Sequence, residues 1–397
     1  MLTLFYALVV EQILQGLYNL WDGIRWLRMA QRRVGTHSGF FAPSVALFCP
    51  IKGMEPGLEL NLAALIGQDY ANYEIFFTMA SADDPARKLL DRLITSTKRK
   101  IQIVIAGRPE GCGEKVNNLR VAVEKAGPEY DVYVFADSDG RPGRTWLTRL
   151  VAPLADANLG AVSTFRWFFR QSGGLWSALA SAWNAPLATY LGEHRNNFCW
   201  GGGTAIRRER FEQSHVFDYW SGSVSDDFSL THAVRSAGLP ILFAPECMVP
   251  AIFDCDAAGL LEFTNRQMVI TRVYESKLWS LGGLAHALYC SAILSGVALY
   301  VANVISGAPA IHLLLLAMLP PVLCMARGVL RLTAMMEILP EWKSKLLADG
   351  WVWTFLAAVA PFLALWNTVV GIFTREIRWR GIRYQLLSPG QTRIVSR

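Results

Sequence analysis

Three long apolar runs crowded toward the C-terminal end constrain this 397-residue chain more than any other feature. They cover about residues 281–306, 309–330 and 351–373, and each is close to the ~20 residues that a helix needs to cross a bilayer. A fourth run, residues 2–20, precedes Arg25, Arg28, Arg32 and Arg33. Basic residues just after an apolar span place that side in the cytoplasm. Glu11, Gln12 and Gln15 interrupt this first run, so an interfacial helix is the alternative to a full crossing. No small-residue cleavage pattern follows it, which argues against a removable signal peptide.

Within the C-terminal runs, Tyr289, Tyr300, Trp351, Trp353 and Trp366 suit interface positions. The SGAP segment at 306–309 reads as a tight turn between antiparallel spans, and Pro320, Pro321 and Pro361 predict kinks. Residues 331–349 read as a surface helix. If residues 34–280 are cytoplasmic and all three runs cross, the tail falls outside. Yet the tail carries Arg375, Arg378, Arg380 and Arg383, which prefer the inside. One run is therefore expected to re-enter or to lie at the interface, and 351–373, with Pro361 near its middle, is the first choice.

Composition supports a membrane protein with a folded domain. Hydrophobic residues make up 52% of the chain and charged residues only 18%, too apolar for disorder. The net charge of +6 is modest and its basic residues flank apolar runs, which points to an anionic bilayer face and not to nucleic acid. The seven cysteines are scattered and form no CxxC pair, so neither a disulfide framework nor a zinc site is expected.

Between these segments the pattern changes. Short β-rich runs at 44–49, 73–79, 101–105, 131–136, 159–164 and 240–245 alternate with helical stretches near 57–68, 85–97, 115–126 and 145–155. Apolar strands alternating with helices predict a parallel α/β sheet. Ligands of such sheets bind outside the C-terminal strand ends, so acidic residues just after strands are the place to look for chemistry.

Asp83 and Asp84 follow the second run, and Asp137 and Asp139 follow the fourth, in ADSDG. Two carboxylates one residue apart at a strand end suit a hard divalent cation, Mg²⁺ or Mn²⁺, which would neutralise charge on a departing diphosphate. A solvated turn is the bland alternative. Asp83 and Asp84 can equally cap a helix starting near Pro85. Asp226 and Asp227, in GSVSDDFSL, can cap a helix too, but adjacent carboxylates raise one pKa and so favour a general base. Asp254 and Asp256 have no comparable context.

Lys115, Asn117 and Asn118 open a helix in KVNNLR, where an ammonium and amides can hold a sugar or phosphate. Gly201, Gly202 and Gly203 follow Trp200. Glycine permits close backbone approach or positive φ, and Trp200 offers a flat face to a sugar ring. Arg207, Arg208 and Arg210 read as a solvated or lipid-facing surface. Residues 258–280 are amphipathic enough to lie at a membrane interface, with ordinary packing on the sheet as the alternative.

In their order, CPIKGMEPGLELNL, QDYANYEIFFTMASADDPA, KVNNL, ADSDG, WGGGTAIRRERF and SDDFSL resemble the ceramide glucosyltransferases, glycosyltransferase family 21 within the wider family 2 group. The hopanoid-associated glycosyltransferases of bacteria are similar. The likeness runs from about residue 44 to 275, and the WRGIRYQLL tail agrees with it. It implies a GT-A fold, α/β and Rossmann-like, with N-terminal and C-terminal transmembrane helices. It also implies inverting transfer of a hexose from a nucleotide-diphosphate sugar, with UDP-glucose weighted by the family, to a lipid hydroxyl such as ceramide.

Carried over by motif, Asp84 with Asp83 serves the nucleotide. Asp137 is the second family aspartate, with Asp139 beside it at the metal. Asp227, with Asp226, supplies the base. The family's closing motif, (Q/R)xxRW, reads RQMVITR at 266–272. Arg266 fits its first position, but Val269 and Ile270 stand where Arg and Trp belong. Arg272 is then the candidate to replace the lost positive charge, or Gln267 to hold a diphosphate oxygen. Gly140 also departs from the apolar residue expected after DSD.

The expected organisation is a membrane anchor and basic flank (1–33), a GT-A domain (34–257), an interfacial helix (258–280), a transmembrane region (281–373) and a basic tail (374–397). The catalytic domain would face the cytoplasm. A processive polysaccharide synthase, a polyprenyl-phosphate glycosyltransferase and a non-catalytic membrane scaffold are the competing readings.

Overall fold

The computed structural model describes residues 1–34, 41–308 and 310–397. The expected start of the GT-A domain at 35–40, and Pro309 of the SGAP turn, lie outside the described residues. The chain divides into two compact units.

One unit holds Arg33–Phe169, Tyr190–Ile252 and Arg375–Arg397. Its strands are β1 (Val45–Pro50), β2 (Tyr73–Met79), β3 (Ile101–Ile105), β4 (Val132–Ala136), β5 (Ala161–Ser163), β6 (Arg166–Phe169), β7 (Gly203–Arg207), β8 (Ile241–Phe243), β9 (Val249–Ile252), β10 (Glu376–Trp379), β11 (Ile382–Ser388) and β12 (Gln391–Ser396). Seven of them form one sheet in the order β3-β2-β1-β4-β7-β5-β8. The pairs β3–β2, β2–β1, β1–β4 and β5–β8 are parallel, whereas β7 runs against both β4 and β5. The sheet is thus mixed, with one reversed strand.

The six expected strand runs are all present. β6, β7, β9 and the C-terminal strands were not foreseen, because each is short or sits inside a polar, Gly-rich or Arg-rich stretch. The helices Leu58–Ile66, Arg87–Thr95, Glu114–Ala126 and Trp146–Val151 match the four helical stretches. Apolar residues buried on both faces hold the sheet. Phe48 stacks on Phe135 at 5.7 Å, and Phe135 meets Trp220 edge-on at 5.5 Å. Because β7 is reversed, Ala136 pairs with Gly203. The start of β7 therefore lies beside the end of β4, next to Asp137.

The second unit holds Met1–Arg32, Arg170–Thr189 and Phe253–Thr374. Leu2–Val34 is one 33-residue helix. Among the described residues, Ser276–Ile305 and Ile311–Ile338 are the two helices long and apolar enough to cross a bilayer. Gly350–Ala358 and Ala360–Phe373 are together long and apolar enough as well, but they bend by 60° at the break between them. Pro361 sits in the first turn of the second half, where its missing N–H costs nothing. Two expectations need correction. The Ile311–Ile338 helix, which contains Pro320 and Pro321, extends into the expected 331–349 surface helix, which is therefore not a separate element. The proposed 258–280 helix is instead two, ending at Tyr274 and restarting at Ser276.

The N-terminal helix packs along Ile311–Ile338 in the same direction. Phe5 and Val9 cluster with Leu313 and Ala317, Gly16 faces Leu323, Gly23 faces Leu330, and Asp22 lies 3.5 Å from Arg327. Both partner positions rise together, which defines a parallel pair.

Candidate active site

Four segments converge at the C-terminal edge of the parallel strands, and one lysine ties three of them together. Lys115 stands in the first turn of the Glu114–Ala126 helix. Its Nζ lies 2.7 Å from Asp137 Oδ1, after β4, and 3.1 Å from Asp226 Oδ1, at the start of the Asp226–Ser236 helix. The ammonium expected to hold a sugar or phosphate therefore neutralises two carboxylates.

Burial sets the electrostatics. It pushes the Asp226 carboxyl up to about 7, the neighbouring Asp227 and Asp137 charges adding to the effect and Lys115 opposing it. Burial also raises Asp137, but Lys115, with Arg166 and Arg380, outweighs it and holds that carboxyl below the usual range. Asp139 is raised by burial and by Asp137, against the pull of Arg166 and Arg380. Lys115 itself is driven upward: burial works against its charge, and the three aspartates Asp137, Asp226 and Asp227 win.

The three glycines have a different reason from the one expected. None of them adopts positive φ. A Cβ on Gly201 would overlap Asp226 Oδ2 and stand 2.8 Å from Lys115 Nζ, and one on Gly202 would overlap the Trp200 ring and lie 2.7 Å from Asp137 Oδ2. Glycine lets the carboxylates approach the backbone. Trp200 is 5% exposed and packs against Phe165 at 5.7 Å, so it is a core residue and not an open sugar platform.

Asp227 is half-buried. Its Oδ1 accepts from the Phe228 N–H at 2.8 Å and from the Ser225 hydroxyl. Asp227 thus helps to cap its own helix, as Ser225 does. Oδ2 takes no protein hydrogen bond among the described residues.

Asp84 accepts the Gly53 N–H with both oxygens at 3.0 Å and the Ala86 N–H at 2.9 Å, fastening the loop after β2 to the loop after β1. Asp83 is exposed. The helix there starts at Arg87 without a side-chain cap. Asn117 donates to the Ala106 and Gly107 carbonyls at 3.2 and 3.3 Å. Asn118 is 2% exposed, and its Oδ1 has no hydrogen-bond partner.

Several participants were not legible beforehand. Arg166, from β6, reaches Asp139 Oδ2 at 3.4 Å. Asn61 donates to the Ser138 carbonyl at 3.1 Å and accepts from Arg141 at 3.2 Å, bracing the residue between the two aspartates. Glu55 and Arg380 pair beside them. A Cβ on Gly140 would stand 2.6 Å from Val249, which accounts for glycine where an apolar residue was expected. Arg207, Arg208 and Arg210 are half-buried, and donate to the Leu154, Tyr130 and Ala157 carbonyls, so they are not simply solvated.

Arg266, Gln267 and Arg272 belong to the other unit, on the Ala257–Tyr274 helix. There Arg266 lies over the Phe263 ring at 5.5 Å. Arg272 donates to the Gly371 and Ile372 carbonyls, the latter at 3.0 Å, where a cation suits the end of a helix. Val269 and Ile270 are buried at 1% and 5% exposure. In the same unit Asp256 caps this helix through the Gly259 N–H at 2.8 Å, and Asp254 accepts the Gln171 and Ser172 N–H groups.

The profile of glycosyl transferase family 21 matches residues 4–392. The chain belongs to this family. Its domain is α/β with a largely parallel sheet, in keeping with the fold class expected from the sequence. It is 30% identical over 97 residues to ceramide glucosyltransferase 1 of Caenorhabditis elegans, covering 24% of this chain and 20% of that one. It is 32% identical over 100 residues to the ceramide glucosyltransferase of Komagataella phaffii, covering 24% and 19%. The matched stretch thus spans about a fifth of the length of these relatives. Among solved structures, the family 21 chain is similar to a Pyrobaculum calidifontis mannosyltransferase in complex with GDP-Man and Mn²⁺, at TM-score 0.46 and 17% identity, covering 91% of this chain and 99% of that one. It is also similar to GalNAc-T7 with UDP, GalNAc and Mn²⁺, at TM-score 0.43 and 18% identity, covering 58% and 48%.

Among the described residues no group of three or more His, Cys, Asp or Glu side chains forms a metal cage. Asp137 and Asp139 nonetheless fit a divalent cation. Asp139 Oδ1 is buried and has no hydrogen-bond partner among the described residues. Mg²⁺ commonly takes one or two protein carboxylates and draws its remaining ligands from water and substrate phosphates.

Proposed function

We propose that this protein transfers a hexose, with inversion, from a nucleotide-diphosphate sugar to a lipid hydroxyl, with UDP-glucose as donor and ceramide as the type of acceptor. Family membership and the likeness to ceramide glucosyltransferases support this reading. The observation that carries it is the convergence of Lys115, Asp137 and Asp226 at one sheet edge, with Asp139 and Asp227 beside them.

In this reading Asp227 is the base. Its outward Oδ2 takes the acceptor's proton as that oxygen attacks the anomeric carbon, while Ser225 and the Phe228 N–H fix the other oxygen. Asp226, held by Lys115, keeps the helix start in place. Asp83, Asp84, Asn117, Asn118, Asp137 and Gly202 line the donor side. Asp137 and Asp139 would hold Mg²⁺ or Mn²⁺, which supplies charge neutralisation for the leaving diphosphate.

The membrane arrangement follows from chain continuity. Arg375–Arg397 belongs to the same compact unit as Arg33–Phe169 and Tyr190–Ile252, so all three lie on one side of a bilayer, the cytoplasmic side by the positive-inside rule. Ser276–Ile305 crosses outward and Ile311–Ile338 crosses inward, with the N-terminal helix (residues 1–33) as an anchor packed along the latter. The segment bent by 60° then enters and returns, which reconciles the basic tail with the cytoplasm.

The test is to incubate membranes containing the protein with labelled UDP-sugars and analyse the lipid extract by mass spectrometry. A hexosylated lipid that depends on Asp227 is expected. Long polymer would favour a polysaccharide synthase, and the absence of donor binding and hydrolysis would favour a scaffold.

A further inference from the structure

The C-terminal sheet is seated on the loops that frame the site. The Tyr384 hydroxyl, on a side chain 1% exposed, accepts the Glu114 N–H at 3.2 Å, one residue before Lys115. Arg397 donates to the Pro109 carbonyl at 2.7 Å, and a Cβ on Gly222 would overlap the Gly390 carbonyl. The β10–β11 hairpin is thereby held in position by three separate attachments.

At its tip, Trp379 pairs with Ile382, leaving Arg380 and Gly381 as the two-residue turn. Both have positive φ, 52° and 83°. Such turns favour Asn, Asp or Gly at the first position, and positive φ at a long side chain is a backbone cost that clusters at functional sites. The arginine's side chain, 42% exposed, pairs with Glu55 in the loop after β1. Its charge acts on Asp137, Asp139 and Glu55 alike. The other cations facing these carboxylates are committed: Lys115 to Asp137 and Asp226, and Arg166 to Asp139.

We propose that Arg380, carried on the β10–β11 turn, grips the diphosphate of the donor and leaves Glu55 to do so. This rests on the nucleotide-sugar reading above. A guanidinium matches the paired oxygens of a phosphate group. Glu55 holds it aimed at the strand ends until a stronger anion arrives.

The experiment measures binding of UDP and of uridine to the full-length protein in detergent, for the wild type, Arg380→Gln, Arg380→Lys and Glu55→Gln. Arg380→Gln should weaken UDP about tenfold to a hundredfold, as loss of a charge-assisted hydrogen bond implies, and leave uridine within about twofold. Arg380→Lys should recover part of the loss, and Glu55→Gln should tighten UDP by removing the competing carboxylate. Unchanged UDP affinity in Arg380→Gln, or an equal loss for UDP and uridine, overturns the proposal. Weaker or unchanged UDP binding in Glu55→Gln overturns the exchange. A wild type that binds no nucleoside diphosphate at all removes the donor reading itself.

Discussion

Lys115 reaches Asp226 across 3.1 Å from the first turn of one helix to the first turn of another. Both helix starts carry partial positive charge, so a lysine there needs compensation, and Asp137 and Asp226 provide it. The ammonium in turn permits two buried carboxylates to sit near Asp227 and Asp139. Five charges converge on a few ångströms of backbone that only Gly201 and Gly202 leave open.

The raised Asp226 carboxyl makes stability depend on pH. Between about pH 4 and 7 the folded protein holds a proton that the unfolded chain has released. Its contribution is therefore complete below about pH 4 and is lost as pH rises through about 7. Asp226→Asn removes the titration. The wild-type melting temperature, measured without added metal, should fall relative to that of Asp226→Asn as pH climbs from about 5 to 8. A constant difference between the two proteins across that range would show that Asp226 titrates normally.

Asp227→Asn keeps the size of the side chain and the acceptor for Phe228 and Ser225, but loses the basic oxygen. Turnover should fall by about a hundredfold to ten-thousandfold, the usual worth of a general base, with donor affinity within about twofold. Single-turnover assays with labelled donor, beside equilibrium binding, separate the two quantities. Mild loss of turnover would favour an acceptor that is already an anion, such as a polyprenyl phosphate, which needs no base.

The sequence carried the strand-and-helix alternation and the acidic positions well, because buried parallel strands read as dense apolar runs. It concealed Arg166, Glu55 and Arg380. Arg166 lies on a four-residue strand whose pairing with β9 joins segments more than 80 positions apart. Glu55 and Arg380 meet across 325 positions, and only the turn dipeptide Arg380-Gly381 hinted at a tight hairpin. The glycine triplet was visible, but its cause was not: the crowding comes from Asp226, Lys115 and Asp137, which the chain brings there from two helix starts and one strand end.

Asp139 tests the cation. Its buried Oδ1 has no hydrogen-bond partner among the described residues, so Asp139→Ala should abolish any gain in UDP affinity that Mn²⁺ or Mg²⁺ confers on the wild type. UDP titrations with and without metal, followed by calorimetry, check this directly. The expected loss is confined to the metal-dependent part, about tenfold or more. An identical metal response in Asp139→Ala would place the ion elsewhere.

Two glycine substitutions separate close packing at the site from backbone freedom. At Gly201 a Cβ would overlap Asp226 Oδ2 and crowd Lys115 Nζ at 2.8 Å, so Gly201→Ala must push the carboxylate off the ammonium. Breaking a buried ion pair costs about 3–5 kcal/mol when no relaxation intervenes; partial relaxation should leave a folded protein with a lowered melting temperature and little turnover. At Gly143 nothing lies within 4 Å of the added Cβ and φ is not positive. Gly143→Ala should therefore be neutral, or stabilise by about 0.4–1 kcal/mol through the unfolded chain. Thermal unfolding and transfer assays on the pair decide the matter. Equal behaviour of the two variants would mean that the Lys115–Asp226 geometry tolerates displacement, and that the glycine triplet serves some other purpose.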